Sequence, residues 1–213
     1  MRNLNTFILE RLRINKDISP IKYNYQPKDF NELKSLLKQL LEKRGKDADL
    51  NDIDVSKITS FYDNINKRGL FEKLDPHNIN ISQWDVSNVE NMNSMFDGCK
   101  NFTGQGLKKW NVSNVEDMGF MFDGCTNFEG NGLENWKLIK CENMHCMFYK
   151  CINFNHNLGS WNVSNIEDMF SMFEGCENFK GDGLEKWKPI NCQDMRNMFE
   201  NSGVKKYPSW YEE

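Results

Sequence analysis

Six tryptophans stand at 84, 110, 136, 161, 187 and 210, and successive ones are 26, 26, 25, 26 and 23 residues apart. A chain that returns one large apolar residue at a near-constant interval is repeating a structural unit. A unit this short cannot bury its own apolar edge and must stack on a neighbour. Other columns keep the same register. Ten of the 11 methionines fall in two of them, Met92, Met118, Met144, Met169, Met195 and Met95, Met121, Met147, Met172, Met198. A phenylalanine follows directly, at Phe96, Phe122, Phe148, Phe173 and Phe199.

Each unit has two halves. In the second half, Val115, Met118, Met121, Phe122 and Cys125 have the spacing of one face of a short helix. Ser113 and Glu116 have the spacing of a capping box, as have Ser87/Glu90 and Ser164/Glu167, and Gly124 stands where such a helix would stop. In the first half, the pattern L-x-x-W-x-V at 107–112 is close to the L-x-x-L-x-L strand of leucine-rich repeats. The expected unit is therefore one short strand, a turn and one short helix. The expected fold class is an α/β repeat solenoid, with a leucine-rich-repeat-like parallel sheet, one short helix per repeat and an N-terminal helical cap.

The consensus W-x-V-S-N-V-x-x-M-x-x-M-F-x-G-C-x-x-F, at 84–199, closely resembles the repeat of BspA-like leucine-rich-repeat surface proteins of bacteria. The resemblance implies a right-handed solenoid of parallel strands that binds other proteins or host surfaces. Export signals and wall anchors accompany that family at the cell surface, and none is visible here. The third repeat, "WKLIKCENMHCMFYKC", drifts from the consensus.

The ends differ from the middle, as the ends of a stack must. "KDFNELKSLLKQLLEKRG" at 28–45 carries a stripe of Phe30, Leu33, Leu36, Leu37, Leu40 and Leu41 and ends on Gly45, so it reads as a capping helix. The chain divides into an N-terminal segment and capping helix at 1–52, a degenerate first repeat with an insertion at 53–83, the repeats at 84–199 and a C-terminal cap strand at 200–213. In the degenerate repeat, Ile53 takes the tryptophan column and Phe61 the first methionine column. At the other end Tyr207 takes the leucine column. Residues 1–26 read either as more cap or as a docking peptide.

The net charge of -4 argues against a dedicated nucleic-acid binder. No stretch is long and apolar enough for a membrane span or a signal peptide, which favours a cytoplasmic or virion-associated protein, with the cell surface open through the family resemblance. The abundance of Asn, Lys and Ile points to an AT-rich bacterial or phage genome. Seven cysteines, four of them one per repeat at Cys99, Cys125, Cys151 and Cys176, read as small buried residues rather than a disulfide framework. Cys141, His145, Cys146 and Cys151 are suitable zinc ligands by type. Their columns point in opposite directions, however, with Cys146 in a variable column expected to face solvent, so neither a metal nor any other cofactor is expected. Of the three histidines, His77, His145 and His156, neither His77 nor His156 has a repeated Ser, Cys or acidic partner at a catalytic spacing, so no catalytic site is expected. "GQG", "GNG" and "GDG" read as turns from helix to strand, the wrong junction for a phosphate cradle.

Recognition is then left to the uncopied residues. On an L-x-x-W-x-V strand the neighbours of each tryptophan point away from the core. They line up as Gln83, Lys109, Asn135, Ser160 and Lys186 before it, and Asp85, Asn111, Lys137, Asn162 and Lys188 after it. This face is locally basic and suits a polar or acidic partner, whether a host-cell surface, another protein of the same organism or a phage particle. Phe120 and Phe170 mark an alternative contact face on the expected helices. An architectural role in a larger assembly, docked through residues 1–26, is the second reading.

Overall fold

The structure, a computed structural model, describes residues 22–212; residues 1–21, most of the segment read as cap or docking peptide, lie outside the described residues. Helix α1 spans Phe30–Arg44. Asp29 caps its start by accepting hydrogen bonds from the Asn31 and Glu32 amides, and Gly45, at φ 88°, ends it. Leu33, Leu37, Leu40 and Leu41 are buried and join one core cluster that runs through the chain to Val204. Polar tips hold the helix to the first irregular unit: the Lys34 ammonium donates to the Gly69 carbonyl, and Arg44 forms a two-toothed ion pair with Asp52.

The unit itself differs from the expected strand and helix. Leu107 and Trp110 are both buried. A strand would send residues three apart to opposite faces. Instead Leu107–Lys109 forms a 3-10 turn, and the Trp110 amide donates back to the Leu107 carbonyl. The same three-residue closure recurs from Val115 to Val112, Met121 to Met118, Cys125 to Phe122 and Phe128 to Cys125. Each copied apolar pair is one turn, with both side chains turned inward. The unit is a chain of such turns, hereafter a rung, named by its tryptophan.

The helix expected over Ser113–Cys125 is absent for two reasons. Alternate amides are engaged elsewhere: those of Met118, Phe120, Phe122 and Gly124 donate to the carbonyls of Asn143, His145, Met147 and Tyr149 on the next rung. The chain also enters the left-handed region within this stretch of every rung, at Ser94, Phe120, Cys146, Ser171 and Asn197, with φ between 51° and 58°. The capping box does not form either; the Glu116 amide donates to the Glu90 carbonyl of the preceding rung.

Rungs therefore stack through a parallel backbone ladder. Single parallel bridges join Ser60, Asn91, Asp117, Asn143, Asp168 and Asp194 in order. Side chains add rails to the ladder. Each tryptophan Nε1 donates to a carbonyl on the preceding rung, as Trp110 does to Ile81 and Trp136 to Leu107. Trp84 lies parallel to Trp110 at 6.5 Å and Trp136 to Trp161 at 6.4 Å. Phe96, Phe122, Phe148, Phe173 and Phe199 stack at 5.6–5.9 Å. The Cys125, Cys151 and Cys176 thiols each donate to a phenylalanine carbonyl on the rung before. Asn114 and Asn165 donate to the Ser87 and Ile139 carbonyls in the same way.

The irregular unit obeys the same register. Phe61 and Phe71 donate to the Asn91 and Met95 carbonyls, as Met92 and Phe96 do to Asp117 and Met121. Between them the chain detours through an antiparallel pair, β1 at Tyr62–Asp63 and β2 at Arg68–Gly69. Gly69 ends the detour with no room for a side chain, since a Cβ there would lie 1.6 Å from the Ser94 carbonyl oxygen. At the far end, among the described residues, no cap strand forms. Tyr207 and Tyr211 pack on Phe199 instead, and Trp210 stacks on Trp187 at 6.0 Å.

Candidate functional site

The copied apolar residues are almost all buried, so the surface is written largely by the others. Gln83, Asp85, Lys109, Asn111, Asn135, Lys137, Ser160, Asn162, Lys186 and Lys188 are all exposed. The tryptophan column between them fixes their alignment. Lys109 and Lys186 end the two 3-10 turns, Leu107–Lys109 and Leu184–Lys186, which set their outward direction. None of the four lysines has an ion-pair partner among the described residues.

Three of the ten also build backbone. The side-chain oxygens of Asp85, Asn111 and Asn162 accept the amides of Ser87, Ser113 and Ser164, closing a small turn after each tryptophan. In the Trp136 and Trp187 rungs Lys137 and Lys188 stand in that place and have no acceptor to offer. The residue two further on is Ile139 or Ile190 instead of serine, and both are exposed, by 59% and 77%. Sequence reasoning missed these two. Their signal was present as the only apolar residues in a column otherwise written Ser87, Ser113 and Ser164. The same reasoning missed the asparagine rail, although Asn88, Asn114 and Asn165 are copied residues.

The alternative face is corrected in part. Phe120 and Phe170 are half-buried, not free. Phe120 meets His145 edge-on at 4.4 Å, and the Arg196 guanidinium lies 5.7 Å from the Phe170 ring. The reading of Cys146 as solvent-facing is also corrected: it is 7% exposed, and burial pushes its thiol up to about 12. In its column Ser94 and Ser171 are buried too, Phe120 is half-buried and Asn197 is exposed, and all five share a left-handed backbone. Burial likewise pushes up the thiols of Cys99, Cys125, Cys141, Cys151 and Cys176. All seven cysteines are free, and Cys192 is the least buried.

Among the described residues no group of three or more His, Cys, Asp and Glu could hold a metal ion. His145 Nδ1 lies 2.7 Å from Asn143 Oδ1. His156 lies 3.9 Å from Glu134, beside the Gly104–Gly106 and Gly132 turns and Lys108. Gly104 and Gly106 precede the 3-10 turn Leu107–Lys109 and Gly132 a plain turn, not a strand, which corrects the expected junction, and the Leu107 amide is already spent on the Gly104 carbonyl. On the opposite flank Asp97 and Asp123 share a column. Burial first, then Asp97, raises the Asp123 carboxyl to about 7. Among the described residues no helix is long and apolar enough to cross a membrane.

Neither the comparison with curated proteins nor that with solved structures gives a match. One family model does match, in three overlapping stretches at residues 31–132, 65–182 and 125–208. Overlapping placements are what a periodic sequence produces, because one pattern fits it in several registers. The chain belongs to the family described as Mycoplasma protein of unknown function, DUF285.

Proposed function

We propose that the protein is a non-enzymatic protein-interaction module, a repeat solenoid of the BspA-like leucine-rich-repeat type, which binds a polar or acidic partner through the residues flanking its tryptophan column. The observation that carries this reading is the division of labour along the rungs. The interior repeats nearly the same residues at each level, with columns of Trp, Met, Phe and Cys, while the ten flanking positions are exposed and vary. Lys109, Lys137, Lys186 and Lys188 make that face basic on a chain of net charge -4. A local field steers encounter with an acidic surface even when net charge opposes it. The family match is compatible with such a module and names no activity.

The test uses a partner captured from the native source, titrated against the wild type and against a Lys109→Glu, Lys137→Glu double variant. Affinity should fall in the variant and fall with added salt in the wild type. Stability should move by no more than about 0.5 kcal/mol, the usual range for surface changes. Unchanged affinity would move the site off this face, to the flank with Phe120 and Phe170.

A further inference from the structure

Resting on that reading, we infer that the Trp136 and Trp187 rungs form a two-point docking site for an acidic amphipathic segment of a partner protein. Ile139 and Ile190 supply the apolar contacts, and Lys137 and Lys188 pair with carboxylates. Three observations meet here. The first is the exposure of both isoleucines: among the described residues the other exposed large apolar side chains are Ile65, Ile152 and Tyr207, and none of these stands in the column of Ile139 and Ile190. An exposed apolar residue with basic neighbours fits a contact surface.

The second is what the rungs give up. The Trp84, Trp110 and Trp161 rungs close the turn after tryptophan with a side-chain acceptor. The Trp136 and Trp187 rungs place lysine there, and the Ile190 amide must fall back on the Lys188 carbonyl two residues away. A rule kept in three copies and broken the same way in two points to a functional demand.

The third is alignment. The Ile139 and Ser164 carbonyls each accept an asparagine from the rung that follows, Asn165 and Asn191, so Ile139, Ser164 and Ile190 form one column. The small Ser164 sits between the two isoleucines. A trough lined by Lys137, Ile139, Ser160 and Asn162 opens over the Trp136 and Trp161 rungs. Its lining holds no carboxylate, and the exposed glutamates Glu142 and Glu167 lie outside it.

At the roughly 4.8 Å spacing of paired strands, two rungs separate the isoleucines by about 10 Å. Seven residues of helix also rise about 10 Å and return to one face. The probe is therefore a fluorescent, helix-forming peptide of glutamate and alanine with two leucines seven positions apart. Binding is read by anisotropy against the wild type and against Ile139→Ser, Ile190→Ser. That double variant restores the residue of the other three rungs and so should keep the fold.

The proposal requires that the wild type bind the probe, that the double variant bind it at least tenfold more weakly, and that a leucine-free glutamate–alanine peptide bind at least tenfold more weakly too. Equal binding by the double variant, or by the leucine-free peptide, overturns it. If the Lys109→Glu, Lys137→Glu variant loses the probe while the serine variant does not, the face binds by charge alone; the broader reading stands and this one fails. A wild type that ignores the probe, or that self-associates in sedimentation and loses this in the serine variant, also overturns it. The self-associating case makes the occupant a second copy of the chain.

Discussion

The Trp110 and Trp136 rungs lie against each other with almost the same interior and different exteriors. Inside, both bury tryptophan, two methionines, phenylalanine and cysteine, and Phe122 stacks on Phe148 at 5.7 Å with their planes 2° apart. Outside, one reads Asn111 and Ser113, joined by a hydrogen bond, and the other Lys137 and Ile139, with no such bond. The Trp136 rung also interrupts an acidic column, placing Tyr149 where its neighbours have Asp97, Asp123 and Glu174. The comparison separates two kinds of constraint. The interior is set by the need to match the rung above and below, and the exterior is free to answer to something else.

The largest effect should be the same in both rungs. Phe122→Ala and Phe148→Ala should each cost about 3–5 kcal/mol, the usual range for emptying a buried phenylalanine site, because both rings are fully buried between stacked neighbours. Phe199→Ala should cost less, since Phe173 covers it on one side and Tyr207 and Tyr211, at the end of the chain, on the other. Denaturant melts giving clearly unequal costs for Phe122 and Phe148 would break the claim of a shared interior.

The turn after tryptophan should show a smaller difference of opposite sign. Asn111→Lys removes the acceptor of the Ser113 amide and should destabilise by roughly 1 kcal/mol, the usual worth of such a hydrogen bond. Lys137→Asn offers the missing acceptor to the Ile139 amide and should stabilise by less. If both changes are silent in thermal melts, the lysines cost the fold nothing.

The acidic flank adds a pH dependence of similar or smaller size. The folded chain keeps the Asp123 proton up to about 7, whereas an unfolded aspartate loses it near pH ~3.9. With its folded value raised, this group lowers stability as pH rises from about 4 to about 7 and has no further effect above. Asp123→Asn should therefore stabilise at pH 8, by roughly 1 kcal/mol once screening of a half-buried carboxyl is allowed for, and the gain should fade towards pH 5. A gain independent of pH would contradict this. Asp52, held down to about 2 by Arg44, acts with the opposite sign and only in acid.

Thiol labelling gives the finest comparison. Cys141 and Cys192 share a column in the two lysine-bearing rungs, yet only Cys192 is partly open. Cys192 should label first in the native protein, with all seven thiols reacting after denaturation. Early labelling of Cys146 would restore an exposed left-handed column.

The core was legible because its residues recur in register, and burial is the demand that makes them recur. The capping helix was legible for a similar reason, with an apolar stripe from Phe30 to Leu41 and Gly45 to end it. The path within a rung was not. Apolar residues three apart, such as Met118 and Met121, suit one face of a helix and equally suit chained turns; only the destination of the intervening amides decides. Cys146 was misplaced because variation was taken for exposure. The exterior was half legible. The tryptophan-flanking residues are exposed where alternation placed them, whereas Ile139 lay in a repeat that drifts from the consensus and Ile190 was not singled out; their shared column and exposure set the two apart.

The measurement closest to the central claim rewrites both unusual rungs in the wording of the other three: Lys137→Asn, Ile139→Ser, Lys188→Asn and Ile190→Ser in one chain. Melting temperature and affinity for the captured partner are read from the same preparation. The account predicts a melting temperature equal to or above that of the wild type and binding lost by at least tenfold. A lower melting temperature would make those residues part of the scaffold, and undiminished binding would place recognition elsewhere on the molecule.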